Sequence, residues 1–292
     1  MEAVTVFPGS CGEIIQGNYQ GTDMLVSCPV NLFTTVKVME CKHPVHRFKY
    51  KKSSSLLDNI LKRWGYGDLS NSFDIDIKSS IPVGKGFAGS TADLCGVYIS
   101  LLKLFNREYD ISEVIEEFIE IEPTDSIIFK EMTLFDYKEG KNHQYLGPYM
   151  RFYILAFEGK KMIDTISFNK RKLPPLMPME DTLYLLKEGI RTADISKIAL
   201  SSTLSIERNF SRLPYDIYQP VKDIMHNTGG LGIIGAHSGD LLGIIYDDRE
   251  KFLYAKKYAN SIPGYFPYFL ESLERYEYDL EYECSWDAAK PY

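Results

Sequence analysis

The sequence predicts an α+β protein in two lobes, on three observations. Residues 73–78 alternate strictly, with Phe73, Ile75 and Ile77 on one side and Asp74, Asp76 and Lys78 on the other. That is the period of a half-buried strand. Soon after, Leu94, Val97, Tyr98, Leu101 and Phe105 recur at helical spacing. Third, three prolines between Lys172 and Pro178 divide one mixed run of strands and helices from another. We set the lobes at residues 1–150 and 151–292, giving the strands just before the proline-rich link to the second lobe.

Composition narrows the function classes. The 292 residues are 45% apolar and 25% charged, with a net charge of −7. Phosphate backbones and acidic membranes need clustered Lys and Arg, so general affinity for nucleic acid or membrane is not expected. Cys11, Cys28, Cys41, Cys95 and Cys284 are scattered, with no C-x-x-C pair, which argues against a zinc site or a disulfide framework. The N-terminus lacks the basic-then-apolar order of a signal peptide. No run approaches the roughly 18 apolar residues of a membrane helix. A cytoplasmic protein acting on small molecules is expected.

The elements follow in order. Ala3–Phe7 reads as a strand running into a tight turn at Pro8-Gly9-Ser10-Cys11-Gly12-Glu13, and 25–30 and 32–39 as strands around a break at Pro29. Cys41–Lys52 is basic (His43, His46, Lys49, Lys51, Lys52) and reads as a solvated edge. Leu57, Ile60, Leu61 and Trp64 mark a helix. Asp110 with Glu113 forms a capping box for another, which Pro123 helps to end. Residues 152–157 and 162–168 read as a strand pair around Gly159. Residues 181–204 read as one or two helices and 218–226 as a further one. A glycine-dense stretch at 229–239 precedes a strand at 241–246. Residues 250–259 read as helix, and 276–283 alternate weakly. The acidic tail, from Glu271 and Glu274 through Glu283, reads as a solvated strand face.

Between the strand at 73–78 and its helix lies a loop with Gly84, Gly86 and Gly89, then Ser90 and Thr91 at the helix start. Glycine lets backbone approach a ligand. A helix N-terminus offers unpaired N–H groups and a partial positive charge, so the junction suits phosphate. It is not a Walker loop: Gly86 follows Lys85 where Ser or Thr is needed, and Ser79 stands at the leading glycine. Gly84-x-Gly86-x-x-Gly89 matches the dinucleotide fingerprint literally. The helix is followed by Asn106-Arg107-Glu108-Tyr109-Asp110, with no second strand ending in an acid.

The stretch Pro82-Val83-Gly84-Lys85-Gly86-Phe87-Ala88-Gly89-Ser90-Thr91-Ala92 resembles the P-x-x-x-G-[LMF]-x-S-[ST]-A nucleotide loop of the GHMP kinase superfamily. Ser10-Cys11-Gly12-Glu13-Ile14-Ile15-Gln16-Gly17 is similar to the first motif of its L-threonine kinase branch, whose members make O-phosphothreonine for the aminopropanol linker of cobalamin. Residues 122–125, 164–169 and Ala236-His237-Ser238-Gly239 look similar to the same branch. The matches run from residue 8 to about residue 245.

The resemblance implies a two-lobed GHMP fold, with an N-terminal lobe like domain 2 of ribosomal protein S5 and a ferredoxin-like C-terminal lobe. It implies ATP on the loop from Pro82 to Ala92, and Mg²⁺ near Ser90, which matches the serine that touches phosphate and metal. Lys85 is extra to the pattern and could neutralise phosphate. Asp125 matches the aspartate that approaches the acceptor hydroxyl. Glu122 is the favoured metal carboxylate, with Glu120 and Asp93 as alternatives. A zwitterionic acceptor needs an anion for its ammonium and donors for its carboxylate. Glu13 could supply the first, Ser10 and Gly12 N–H groups the second, and His237 and Ser238 could touch carboxylate or phosphate. Cys11 lies in the first motif with no visible activating partner.

Overall fold

The computed structural model describes residues 1–160 and 173–274. The strand expected at 162–168, the motif at 164–169, the weak alternation at 276–283 and the tail beyond residue 274 lie outside the described residues.

The strands are β1 (Glu2–Tyr19), β2 (Thr22–Glu40), β3 (Phe73–Ser79), β4 (Met132–Phe135), β5 (His143–Gly147), β6 (Tyr153–Glu158), β7 (Gly232–Gly235), β8 (Leu241–Tyr246) and β9 (Phe266–Glu271). They form one antiparallel sheet in the order β5-β4-β2-β1-β7-β8-β6-β9, with β3 also paired to β2. The helices are α1 (Lys51–Arg63), α2 (Gly89–Phe105), α3 (Ile111–Ile121), α4 (Glu180–Thr192), α5 (Ile195–Arg208), α6 (Tyr218–Thr228) and α7 (Arg249–Ala255). Helix α2 packs on β1 and β2, and α5 on β1 and β7.

Three local expectations are corrected. Pro8 to Glu13 is not a turn between strands: β1 runs through it, and the extra residues are absorbed as register shifts at Ser10 and Glu13. Bulges let a paired strand carry proline and glycine without ending. Pro29 likewise interrupts nothing, since it faces Ser10 within the β1–β2 ladder. Asp74 is not on a solvent face. It is buried, and its carboxylate accepts the backbone N–H groups of Val45 (2.9 Å), His46 (3.0 Å) and Arg47 (2.6 Å). Those bonds hold its ionised form and lower its pKa against the opposing effect of burial. They also fix the backbone that leads into α1, so the basic stretch is an anchored turn rather than a loose edge.

Helix boundaries follow local chemistry. The Asp110 side chain accepts from Ser112 N and Glu113 N at the start of α3, and Asp194 does the same for α5. The longer apolar run 181–204 splits at Ala193 and Asp194, the second of which caps the new helix. The main core draws on the whole chain, from Phe7 in β1 to Leu270 in β9. A second cluster lies between β6, β8 and α6.

Candidate active site

A cavity of about 490 Å³ opens where the glycine loop meets the bulged part of β1 and the turn that follows β7. Helix α2 begins there with Ala88 in the left-handed region (φ 56°), and no side chain caps the helix. Its first residues, Gly89, Ser90 and Thr91, line the cavity, an arrangement of first-turn N–H groups and helix dipole that suits an anion. Pro82, Gly84, Gly86, Phe87 and Ala88 line it as well.

The back of the loop is sewn to two other segments that carried the resemblance. Ser10 N donates to Phe87 O at 2.9 Å, and Gly12 N to Gly86 O at 3.0 Å. Gly86 has φ +93°, and a Cβ on it would lie 2.1 Å from Ala236 Cβ. Here the neighbouring protein by itself requires glycine.

This stitching corrects several expectations. The N–H groups of Ser10 and Gly12 are taken by loop carbonyls, and the Ser10 hydroxyl donates to Gly12 O (2.6 Å) while accepting from Cys28 N (2.8 Å). Neither residue lines the cavity, nor does Cys11. Cys11 is fully buried, and burial, reinforced by Glu13, pushes its thiol far above the ordinary value. Ala92 is buried in the helix. Lys85 turns away from the cavity: it is buried, donates to Gly159 O at 2.6 Å and lies 3.6 Å from Glu158 Oε1. Its ammonium therefore ties the loop to the end of β6, because a buried cation must find acceptors inside the protein.

The acidic residues gather on the opposite wall. Glu122, where α3 ends, accepts from the Ser90 hydroxyl through one oxygen and from Lys52 Nζ (2.6 Å) through the other. Lys52 Nζ also lies 3.2 Å from Ser90 Oγ. Asp93, one turn along α2, accepts from Thr34 Oγ1 at 2.6 Å. Burial, with Glu122 adding to it, raises the Asp93 carboxyl to about 6. Asp125 accepts from Thr91 Oγ1 (3.2 Å), and its own N–H donates back to that oxygen (3.3 Å). Burial first, then the charge of Glu13, raise Asp125 to about 7. That places it near the working range of a general base. Glu120 is exposed at the end of α3 and off the cavity wall.

Glu13 sits at the β1 bulge paired with Gly235, and lines the cavity with His237 and Ser238. One Glu13 oxygen accepts from His237 N (2.8 Å) and lies 3.1 Å from His237 Nδ1, while His237 Nε2 is 3.1 Å from Ser205 Oγ. Both ring nitrogens are thus engaged, which holds the carboxylate in place.

The donor set suits a small hard cation. Mg²⁺ takes one or two carboxylates with hydroxyl, water and phosphate oxygens rather than an all-protein cage. Ser90 and Glu122, with Asp93 adjacent, fit that description. Among the described residues no cluster of three or more His, Cys, Asp or Glu forms a closed metal site.

Sequence reasoning missed Lys52, Gln16, Tyr137 and Arg212, all on the cavity wall. Lys52 was hidden inside a basic run. Gln16 stands in the Ser10–Gly17 motif without a role of its own there, and Tyr137 and Arg212 belong to segments remote from the loop that only the tertiary fold brings to the cavity.

The chain is similar to known kinases in sequence and fold. The family "GHMP kinases N terminal domain" matches residues 51–129. An L-threonine kinase of Salmonella typhimurium is 28% identical over 254 residues, covering 85% of this chain and 84% of its own. One of Citrobacter freundii is 28% identical over 256 residues, covering 84% and 86%. The homoserine kinase structure of Cytophaga hutchinsonii superposes with a TM-score of 0.71 at 14% identity, covering 94% of this chain and 95% of its own. A mevalonate kinase of Methanococcus jannaschii gives 0.63 at 15% identity, covering 94% and 98%. The fold is the two-lobed GHMP arrangement, and residues 51–129 are similar to the N-terminal domain of the GHMP kinases.

Proposed function

We propose that this protein is an ATP-dependent kinase that phosphorylates the side-chain hydroxyl of L-threonine. The observation that carries the mechanism is the position of Asp125, on the wall of the cavity into which the uncapped start of α2 opens. The likeness to two L-threonine kinases over most of the chain favours threonine as acceptor. The triphosphate rests on the loop and the first turn of α2. Mg²⁺, held by Ser90 and Glu122, would neutralise phosphate charge. Asp125 accepts the proton of the threonine hydroxyl as its oxygen attacks the γ-phosphorus, and ADP leaves with the bridging electron pair. Glu13 holds the acceptor's ammonium. Arg212, the one guanidinium on the wall among the described residues, takes its carboxylate.

The phosphothreonine formed would supply the aminopropanol linker of cobalamin, in the cytoplasm; we place the lobe boundary at residue 150. A second reading, another small alcohol such as homoserine, is favoured only by the homoserine kinase likeness, which concerns fold. Incubating the purified protein with MgATP and threonine, serine, homoserine or mevalonate, and scoring ADP and the phosphorylated product, decides between them. Threonine-dependent ADP release is expected. Its absence alongside homoserine turnover would overturn the acceptor and leave the kinase.

A further inference from the structure

Lys52 is placed as no solvated surface lysine would be. Its ammonium lies 2.6 Å from Glu122 Oε2 and 3.2 Å from Ser90 Oγ, and Glu122 is itself bonded to Ser90. The Glu122 side chain is only 3% exposed, whereas that of Lys52 is 39% exposed. The carboxylate is therefore fixed and the ammonium sits at the end of a partly free stem. The charge of Lys52 also reaches Asp93, whose carboxyl it draws down against burial. One cation thus satisfies the hydroxyl and the carboxylate that suit a divalent ion, with a second carboxyl, that of Asp93, beside them.

An ammonium and a small divalent cation compete for the same oxygens, since both need anionic or hydroxyl oxygen and repel each other at short range. We propose that Lys52 is an internal counter-cation that holds Ser90 and Glu122 for a metal arriving with its nucleotide. Free metal is opposed by the lysine charge. A metal–nucleotide complex brings phosphate oxygens to which Lys52 can turn, so the ammonium leaves Glu122 for the phosphate. Lysine suits this exchange: it is a compact point charge on a four-carbon stem with three rotatable donors. The protein then takes up its divalent ion only as the nucleotide complex. Lys52 is a positioning residue for the metal carboxylate before that exchange, and a phosphate ligand after it. The inference rests on the kinase reading of the site, but not on the identity of the acceptor.

The test is Mn²⁺ binding to the full chain without nucleotide or threonine, followed by the free-ion electron paramagnetic resonance signal. Lys52→Met and Lys52→Gln remove the charge at a half-exposed position, and circular dichroism checks that each is folded. Both are expected to bind Mn²⁺ at least about tenfold more tightly than the unaltered protein. Lys52→Arg is expected to stay weak, and adding Glu122→Gln to Lys52→Met to remove the gain. With MgATP, the charge-removing variants should show a raised KM for nucleotide. Unchanged Mn²⁺ affinity in both would overturn the proposal. So would equal tightening by Lys52→Arg, or a gain that survives Glu122→Gln. A protein that turns over no threonine still yields these titrations, so failure of the acceptor assignment is separate from failure of this one.

Discussion

At the scale of single residues, Asp125 carries the sharpest expectations. Its carboxyl is raised to about 7 by burial and by Glu13, so ionisation, and with it base function, is gained as pH rises through about 7. The rising limb of kcat/KM for the free enzyme should therefore be centred near that value. Asp125→Asn should cut kcat by about 10²–10⁴-fold and leave nucleotide binding by calorimetry nearly intact; full turnover by that variant would remove Asp125 from the mechanism. The stability consequence has the opposite sign. A carboxyl whose folded value lies above its ordinary 3.8 binds more protons folded than unfolded, so its contribution is present below about pH 4 and lost as pH rises through about 7. Asp93, raised to about 6, acts in the same direction. The ligand-free Tm should thus fall across this window, and Asp125→Asn should flatten the fall. A steeper fall in the variant would refute the assignment.

At the scale of elements, the glycine loop is rigid because protein surrounds it. Gly86→Ala sets a methyl 2.1 Å from Ala236 Cβ at a φ of +93°. Overpacking and left-handed strain should together cost about 2–4 kcal/mol in urea unfolding and raise KM for ATP. A neutral result would mean that the loop is not held against the 236–239 turn. Gly86, Ala236 and the Gly12 N–H belong to separate motifs in the sequence. In the fold they largely serve one another. The capping box at Asp110 was legible because capping is a three-residue interaction; the β1 bulges were not, because a bulge is defined by its partner strand.

At the scale of the whole molecule, the sheet and main core run through both lobes, and Lys85 joins the loop to Gly159. Thermal unfolding should accordingly show one cooperative transition by calorimetry, and two resolved transitions would contradict it. Lys85→Met should cost about 1–3 kcal/mol in stability with kcat largely kept. A loss of kcat without loss of stability would return Lys85 to the phosphate. By itself the sequence determined the strand–loop–helix unit, the suitability of its junction for an anion, and the resemblance to GHMP kinases through Pro82–Ala92 and Ser10–Gly17, because these depend on contiguous residues and local backbone geometry. Only the tertiary structure decided which side chains face the cavity. It turned Lys85, Ser10 and Gly12 inward to brace the loop, buried Cys11, and brought Lys52, Tyr137 and Arg212 from remote segments to the cavity wall. The physical reason is that burial and long-range pairing set a side chain's direction, and neither is written in its neighbours along the chain.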